Sequence, residues 1–269
     1  MEKGYALVTG ASQGLGRAIA LELAARGYGI LAVARTRVKL DEVVASCAAL
    51  NGDRAMAFEA DLTADGASAS VADHIERSNL SLQVLVNNAG ETVWGRFAEK
   101  PLTDHLRLMR LNNTVPVELT HRLLPTLRRN TSAYILNIGS MAGYSAMATM
   151  STYSGSKSFV LRWSRALRME LKGTGVLVCC VCPGSVITGF TERAGMQAMD
   201  DLAKRFGSPP EPIARIAVNA LFAGKAEVVP GKLDRFTAWL MGLLPQSLVE
   251  RIASDIYLKR LPTSTTTRR

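Results

Sequence analysis

Short, fully apolar runs alternate with longer segments of helical periodicity, and this alternation restricts the fold more than any other feature of the sequence. A run such as that from Ile30 to Ala34 has no polar face, so we expect strands buried on both sides. Strands that alternate with helices form a parallel sheet with helices on both of its faces. The predicted strands lie near 5–8, 29–34, 54–60, 83–87, 132–139, 176–182 and 226–229. The predicted helices lie at 15–26, 38–50, 64–78, 104–128, 152–171 and 212–223.

These elements predict an α/β chain with a doubly wound Rossmann fold, whose seven-stranded sheet is mostly parallel. No proline-rich or Gly/Ser-rich linker interrupts the series, so residues 1–262 are interpreted as a single domain. Residues 189–208 mix methionine, leucine and phenylalanine with charged residues and are predicted to form a flap over the substrate. The polar tail 263–269 is predicted to be disordered.

Two short amphipathic helices are predicted within residues 232–261, with a break at Pro245, because large apolar residues recur there at helical spacing. Three roles are open for this C-terminal segment. In order of preference, it packs on the body of the protein or on a second subunit, lines an apolar substrate entrance, or contacts a membrane surface.

The net charge of +9 does not indicate a nucleic-acid-binding protein, because the basic residues are spread from Lys3 to Arg269 without a basic run that contains aromatics. No apolar run reaches the roughly 18 residues that a membrane span requires. The apolar residues from Tyr5 to Val8 lead directly into a glycine loop, where a signal peptide would need a cleavage site. We therefore expect a cytoplasmic protein without a transmembrane segment.

No metal site is predicted. Three of the four cysteines, Cys179, Cys180 and Cys182, lie in one apolar run that reads as a buried strand, and a strand does not gather thiolates around a metal. The three histidines lie apart from the motifs described below, so they are interpreted as surface or packing residues. They are His74, His105 and His121.

A glycine-rich loop from Thr9 to Gly16 joins the first predicted strand to the first helix. Glycines in such a loop permit a tight turn and let backbone N–H groups approach a pyrophosphate at the N-terminus of the helix. The loop therefore predicts a dinucleotide site. The candidate cofactor-binding residues here are Gly10, Ser12, Gln13, Gly14, Leu15 and Gly16.

Arg35 follows the second strand, where an acidic residue would bind the 2′-hydroxyl of the adenosine ribose of NAD. A guanidinium can instead bind a 2′-phosphate, so NADP(H) is predicted in preference to NAD(H). Ser12, Thr36 and Arg37 are further candidates for this contact. The alternative is that Arg35 only begins a loop.

Ser140, Tyr153 and Lys157 are the candidate catalytic residues. Tyr153 and Lys157 are four residues apart in a predicted helix, so their side chains share one face. A nearby ammonium favours the phenolate, so Lys157 is expected to lower the pKa of Tyr153 and to make it a proton carrier. Ser140 follows a strand at the carboxyl edge of the sheet, where its hydroxyl can hold a substrate oxygen.

Taken together, the motifs resemble the short-chain dehydrogenase/reductase family over about residues 4–223. Each motif falls in the order and at the intervals that this family uses. They are Thr9-Gly10-x3-Gly14-x-Gly16, Asp61-Leu62, Asn87-Asn88-Ala89-Gly90, Asn112, Ser140, Tyr153-x3-Lys157 and Pro183-Gly184 followed by Thr188.

The resemblance also implies roles for residues that have no clear signal of their own. Asp61, beside Leu62, would contact the adenine, and the segment from Asn88 through Ala89 to Gly90 would pass the adenosine ribose. Lys157 would also hold the nicotinamide ribose, and Asn112 would sustain a water chain to Lys157. The residues implied to border the nicotinamide are Pro183, Gly184, Val186 and Thr188.

These expectations describe an enzyme that acts on CH–OH groups and moves a hydride between NADP(H) and a hydrophobic ketone or secondary alcohol. Two alternatives are a reductase of 3-ketoacyl thioesters and a non-catalytic dinucleotide-sensing or partner-binding protein. The second would be expected to lack Ser140, Tyr153 or Lys157. Self-association into a dimer or tetramer is expected through the helices at 104–128 and 152–171. The nearly forty residues after Gly231 depart from the compact bacterial ketoacyl reductases and resemble members that act on bulkier ketones.

Overall fold

A computed structural model describes residues 3–187, 189, 196 and 207–261, and within them one sheet of seven parallel strands carries the fold. The strands are β1 (Tyr5–Thr9), β2 (Gly29–Ala34), β3 (Ala55–Glu59), β4 (Leu82–Asn87), β5 (Ala133–Ile138), β6 (Val176–Val181) and β7 (Glu227–Val228). Their order across the sheet is β3-β2-β1-β4-β5-β6-β7. The predicted doubly wound α/β fold is confirmed, and every strand pair is parallel.

Helices cover both faces of this sheet, which explains why its strands lack a polar side. The α-helices are α1 (Gly14–Ala25), α2 (Arg37–Asn51), α3 (Ala67–Arg77), α4 (Leu102–Met109), α5 (Val115–Leu127), α6 (Ser151–Glu170), α7 (Pro210–Phe222), α8 (Lys232–Leu243) and α9 (Gln246–Leu258). In β1, Ala6 and Val8 face a core shared with α1, α2 and α7. Leu7 faces the opposite core, shared with α3 and α5. Burial of apolar surface on both faces therefore holds the sheet.

The strand order reverses direction at β1, which pairs with β2 on one side and β4 on the other. The connections after β1 and β4 leave the sheet on opposite sides, so a crevice opens at the carboxyl ends of these strands. Ligands of doubly wound sheets bind at such a point.

The helix predicted as one piece over 104–128 is interrupted. Between α4 and α5, residues Arg110–Thr114 form a turn of π-helix that buries Asn112 and Asn113. A π turn fits one extra residue into the helix and usually marks a functional position. The prediction of a regular helix was wrong here because the hydrophobic pattern continues across the turn.

The two predicted C-terminal helices are present as α8 and α9, and the break at Pro245 is confirmed. The last strand is shorter than the predicted 226–229, since only Glu227 and Val228 pair with β6. Within the part of the chain that the structure describes, no helix is long and apolar enough to cross a membrane. Most of the predicted flap 189–208 and the whole tail 263–269 lie outside the described residues.

Candidate active site

A cavity of about 1180 Å³ follows the carboxyl edge of the sheet, from the glycine loop after β1 to the inner faces of α8 and α9. Of the predicted site residues, Asn112 is behind the wall and Thr188 is outside the described residues. The others all line this one cavity: Gly10, Ser12, Gln13, Gly14, Leu15, Gly16, Arg35, Asp61, Leu62, Asn88, Ala89, Gly90, Ser140, Tyr153, Lys157, Pro183, Gly184 and Val186.

The glycine loop packs so closely against the end of β4 that side chains would not fit. A Cβ atom on Gly16 would lie 2.3 Å from the carbonyl oxygen of Gly10. The Asn88 amide donates to the carbonyl oxygen of Thr9 at 2.9 Å, and the Thr9 hydroxyl accepts from the backbone N–H of Asn88, also at 2.9 Å. Helix α1 begins at Gly14 without a side-chain cap, so its first N–H groups face the cavity unbonded by a capping side chain. This geometry fits the pyrophosphate of a dinucleotide.

Positive charge surrounds the predicted adenosine end of the cavity. The exposed Arg35 makes no side-chain hydrogen bond or ion pair with another residue that the structure describes. Lys39, which sequence reasoning missed, also lines the cavity, and its ammonium donates to the Gln13 side chain at 3.3 Å. Arg37 pairs with Asp41 at 2.9 Å and is not part of the cavity wall. Arg35 and Lys39, and not Arg37, are therefore the cations that a 2′-phosphate at this end of the cavity would meet.

Asp61 stays ionised at the same end of the cavity. Partial burial works against its charge, but hydrogen bonds from Thr63 and the charges of Arg35 and Arg107 lower the pKa of the carboxyl overall. The Thr63 hydroxyl donates to it at 2.7 Å and the Thr63 backbone N–H at 3.0 Å. These bonds fix the carboxylate at the position where the family resemblance places the adenine.

At the other end of the cavity, Ser140, Tyr153 and Lys157 converge. Ser140 caps a short 3₁₀ turn (Met141–Tyr144) after β5, and its hydroxyl accepts from the backbone N–H of Ala142 at 3.1 Å. Tyr153 and Lys157 occupy successive turns of α6 and are both buried. The Lys157 ammonium lies 5.8 Å from the centre of the Tyr153 ring, so the predicted shared face is present.

The pKa of Tyr153 differs from the value expected from the sequence. Burial raises the pKa of the phenol to about 12, although a hydrogen bond with Ser140 acts in the opposite direction. Burial lowers the pKa of Lys157 to about 8, and its ammonium donates to the backbone oxygen of Ile138 at 2.8 Å. Removal from water therefore dominates the pKa of Tyr153 in this structure, and the expected lowering by Lys157 stays a prediction.

Asn112 is held behind the site by the π turn. Its amide donates to the backbone oxygen of Glu91 and to the Ser156 hydroxyl, and its oxygen accepts from the Glu91 N–H, each at 3.0 Å. A Cβ atom on Gly90 would lie 3.2 Å from the Asn112 oxygen and 3.7 Å from the Lys157 ammonium. The missing side chain at Gly90 thus leaves space between these two groups.

An apolar wall faces Tyr153 on the substrate side, and sequence reasoning found only part of it. Tyr153 belongs to one buried apolar cluster with Trp94, Met150 and Met196, of which the two methionines also line the cavity. Helices α8 and α9 add the side chains Thr237, Met241, Ala253, Ile256 and Tyr257 to the cavity lining. The helical spacing of apolar residues indicated the C-terminal contribution, whereas Trp94 and Met150 lie in loops without a pattern.

His105 is nearer to the site than the sequence suggested. Its ring is hydrogen-bonded to the Thr152 hydroxyl at 2.8 Å, next to Tyr153, and to the backbone oxygen of Phe97 at 3.2 Å. It is buried and does not line the cavity, so it acts as a packing residue that joins α4 to α6.

Asp234 connects the C-terminal helices to the predicted nicotinamide loop. Its carboxylate lies in the first turn of α8 and accepts a hydrogen bond from the backbone N–H of Gly184. Burial raises the pKa of the carboxyl, and this hydrogen bond opposes the change. A Cβ atom on Gly184 would lie 2.6 Å from either carboxylate oxygen, so only glycine permits this approach.

The four cysteines are buried and none forms a disulfide. Burial raises the pKa of Cys47 to about 11 and that of Cys179 to about 12, which keeps these thiols protonated and unreactive at neutral pH. Among the described residues, no group of three His, Cys, Asp or Glu side chains is arranged to hold a metal ion.

Comparison with known proteins gives consistent results. The profile of the family described as short chain dehydrogenase matches residues 4–198. The chain is 34% identical over 225 residues to the ketoacyl reductase HetN of Nostoc sp., covering 83% of this chain and 77% of that protein. It is 31% identical over 208 residues to a very-long-chain 3-oxoacyl-CoA reductase of Pyrenophora tritici-repentis, covering 75% of this chain but only 60% of that protein. A short-chain dehydrogenase from Sphingobium yanoikuyae in complex with NADPH superposes with a TM-score of 0.78 at 29% identity, covering 91% of this chain and 97% of the other.

Proposed function

The chain belongs to the short-chain dehydrogenase family, and from this premise we propose that it is an NADP(H)-dependent oxidoreductase of hydrophobic ketones and secondary alcohols. One observation carries the proposal: Ser140, Tyr153 and Lys157 meet at one end of a cavity whose other end is a glycine loop flanked by Arg35. A dinucleotide that spans the cavity would bring its reactive end to Tyr153.

In the proposed reduction, the bound dinucleotide supplies the hydride. Tyr153 donates its phenolic proton to the substrate oxygen, and the Ser140 hydroxyl holds that oxygen in place. Lys157, one helical turn away, stabilises the phenolate that this transfer leaves. Asn112 does not line the cavity, so we assign it the role of positioning the groups around Lys157 and the space beside Gly90. The oxidation of an alcohol uses the same groups in reverse.

Turnover of NADPH with a panel of ketones tests this function. The Tyr153→Phe variant keeps the ring but loses the proton, so we expect kcat to fall about 10³-fold while NADPH binding changes little. Absence of turnover with every ketone, or equal kcat for the two proteins, would reject the proposal. Either result would favour the non-catalytic alternative. The presence of Ser140, Tyr153 and Lys157 argues against that alternative.

NADP(H) preference is proposed from Arg35 and Lys39. We expect Arg35→Asp to weaken NADPH about tenfold or more, because a carboxylate repels the 2′-phosphate, and to leave NADH nearly unchanged. Arg37→Asp is the matched control, since this neighbouring arginine pairs with Asp41 outside the cavity wall. Fluorescence titration of both cofactors measures the effect. Equal weakening of NADPH and NADH by Arg35→Asp contradicts the assignment.

A 3-ketoacyl thioester is the second candidate substrate, favoured by the names of the two relatives and by the apolar wall formed by Met150, Met241 and Tyr257. A simple ketone and a 3-ketoacyl group present the same carbonyl to Tyr153, so the triad does not separate them. Comparison of kcat/KM for 3-ketoacyl thioesters of increasing chain length with that for bulky cyclic ketones distinguishes the two candidates.

Self-association through α4, α5 and α6 is also part of the proposal. Large apolar side chains are exposed there: Leu102, Leu106, Met109, Val117 and Phe159. Exposed apolar patches of this kind mark interfaces. Light scattering of the purified protein tests for the expected dimer or tetramer.

A further inference from the structure

Helices α8 and α9 carry more apolar surface than closure of the cavity requires. Their inner faces line it through Thr237, Met241 and Tyr257. Their outer faces expose a second set of large apolar side chains, each more than half accessible to solvent. These are Leu233 (61%), Phe236 (56%), Trp239 (59%), Leu243 (63%) and Ile252 (52%). We call this set the outer apolar face.

The outer apolar face is continuous along α8. Phe236, Trp239 and Leu243 follow one another at spacings of three and four residues, which places them on one side of the helix. The rings of Phe236 and Trp239 lie 5.8 Å apart. A helix that covered only the substrate would need one apolar side, so the second side requires a partner of its own.

The two helices that carry the outer apolar face also carry exposed basic residues. Lys232, Arg235, Arg251 and Lys259 are exposed, and none of their side chains forms an ion pair or hydrogen bond with another described residue. Of the three acidic residues on these helices, Asp255 is exposed, Glu250 is half-buried and Asp234 turns inward to Gly184. From residue 232 to the end, the sequence holds seven basic and three acidic residues.

This combination of charge and apolar surface selects one partner. We propose that α8 and α9 lie on the surface of an anionic lipid bilayer, with the outer apolar face in the boundary between headgroups and acyl chains and the basic residues at the phosphates. Tryptophan, phenylalanine and leucine beside lysine and arginine are typical of helices that lie in a membrane surface. A symmetric contact between two copies would instead bring the basic residues of both together.

The proposed orientation is independent of which carbonyl is reduced. The same two helices would contact lipid on one side and the cavity on the other, so the cavity would open close to the bilayer. Ile256 lines the cavity and is still 41% exposed, and therefore lies at the boundary between the two sides.

Flotation of the full-length protein with phosphatidylcholine vesicles, with and without phosphatidylglycerol, tests the proposal. We expect binding that needs phosphatidylglycerol, weakens at high salt and falls about tenfold or more in Phe236→Ser/Trp239→Ser. Leu50→Ser/Met169→Ser is the matched control, because it removes two exposed apolar side chains from α2 and α6 and should bind as the wild type does. Equal turnover of a water-soluble ketone by all of these proteins shows that they are folded.

Trp239 also supplies a direct readout. Its emission should shift to shorter wavelength when vesicles are added, and Trp239→Phe should bind but lose the shift, since Trp94 is buried and Trp163, the third tryptophan, lies on α6 and stacks on Phe159. Three results would overturn the proposal. The wild type does not bind any vesicle; binding persists in Phe236→Ser/Trp239→Ser; or that variant converts an oligomer into a smaller species in light scattering, which would assign the face to self-association.

Discussion

Lys157 shows at the level of one residue how the surroundings of a side chain determine its chemistry. Its amine is buried, donates to the backbone oxygen of Ile138 and has a pKa lowered to about 8 by burial. An ammonium is therefore kept in an apolar setting at neutral pH, where it lies beside Tyr153. The cost of burying this charge has a measurable consequence for stability.

Lys157 should make the free energy of unfolding depend on pH. Between about pH 8 and the ordinary lysine value of 10.5, the unfolded chain binds more protons than the folded one, so this residue's contribution rises with pH by up to about 1.4 kcal/mol per unit. Lys157→Met removes this pH dependence. The amount by which the free energy of unfolding of the variant exceeds that of the wild type should shrink between about pH 8 and 10.5, as measured by urea unfolding. The exposed Lys172→Met is the control, and a difference that stays constant would contradict the burial argument.

The proximity of the candidate catalytic residues could be predicted from sequence, whereas the effect of burial on their pKa values could not. Tyr153 and Lys157 share a helix, so a spacing of four residues was enough to place them together. Tyr153 shares its buried cluster with Trp94, Met150 and Met196 from other segments of the chain, and burial raises the pKa of its phenol. Lys39 was missed because its approach to Gln13 depends on how α2 and α1 are arranged in space.

Among the structural elements, the π turn between α4 and α5 has the most direct bearing on the site. The extra residue places Asn112 against Glu91 and Ser156, and the neighbouring Asn113 donates to the backbone oxygen of Ser156 at 2.9 Å. The two asparagines thereby attach this helix to α6. Hydrophobic periodicity specified the helix but not the turn, because side-chain bonds to the other helix determine it.

The two asparagines should separate stability from catalysis. Each substitution by alanine removes buried hydrogen bonds, so both Asn112→Ala and Asn113→Ala should lower the free energy of unfolding by about 1–3 kcal/mol. Only Asn112 borders the space beside Gly90 and Lys157, so kcat should fall about tenfold or more in Asn112→Ala alone. Urea unfolding and steady-state kinetics measure the two effects. Equal losses of kcat would show that Asn112 has only a structural role.

In the whole molecule, the sheet edge and the C-terminal helices build the cavity together. The motifs from Gly10 to Val186 line the predicted cofactor side, and α8 and α9 line the predicted substrate side. The alternation of strands and helices predicted the sheet, and the motifs with the family resemblance predicted nearly all of the residues that line this first part. The second part was predicted as two helices with three open roles, because no local pattern tells which side of an amphipathic helix meets the body. The single sheet supports the interpretation of residues 1–262 as one domain, which stays a prediction.

Filling the substrate side should change which ketones are accepted. Ala253 lines the cavity from α9, so Ala253→Phe should lower kcat/KM for long or bulky ketones about tenfold or more and leave small ketones within a few-fold. Ala223→Phe, at the exposed end of α7 and away from this cavity, is the control. Kinetics across a series of chain lengths measure the change. A uniform loss for all substrates would place the reactive carbonyl elsewhere.

The hydrogen bond between Asp234 and the Gly184 backbone should link events at the predicted substrate end of the cavity to events at the predicted cofactor end. If a substrate longer than the space behind α8 displaces that helix, we expect the Asp234 carboxylate to pull on the backbone of Gly184 in the predicted nicotinamide loop. The release rate of the oxidised cofactor should therefore depend on the length of the substrate. We expect faster cofactor exchange with long substrates than with short ones.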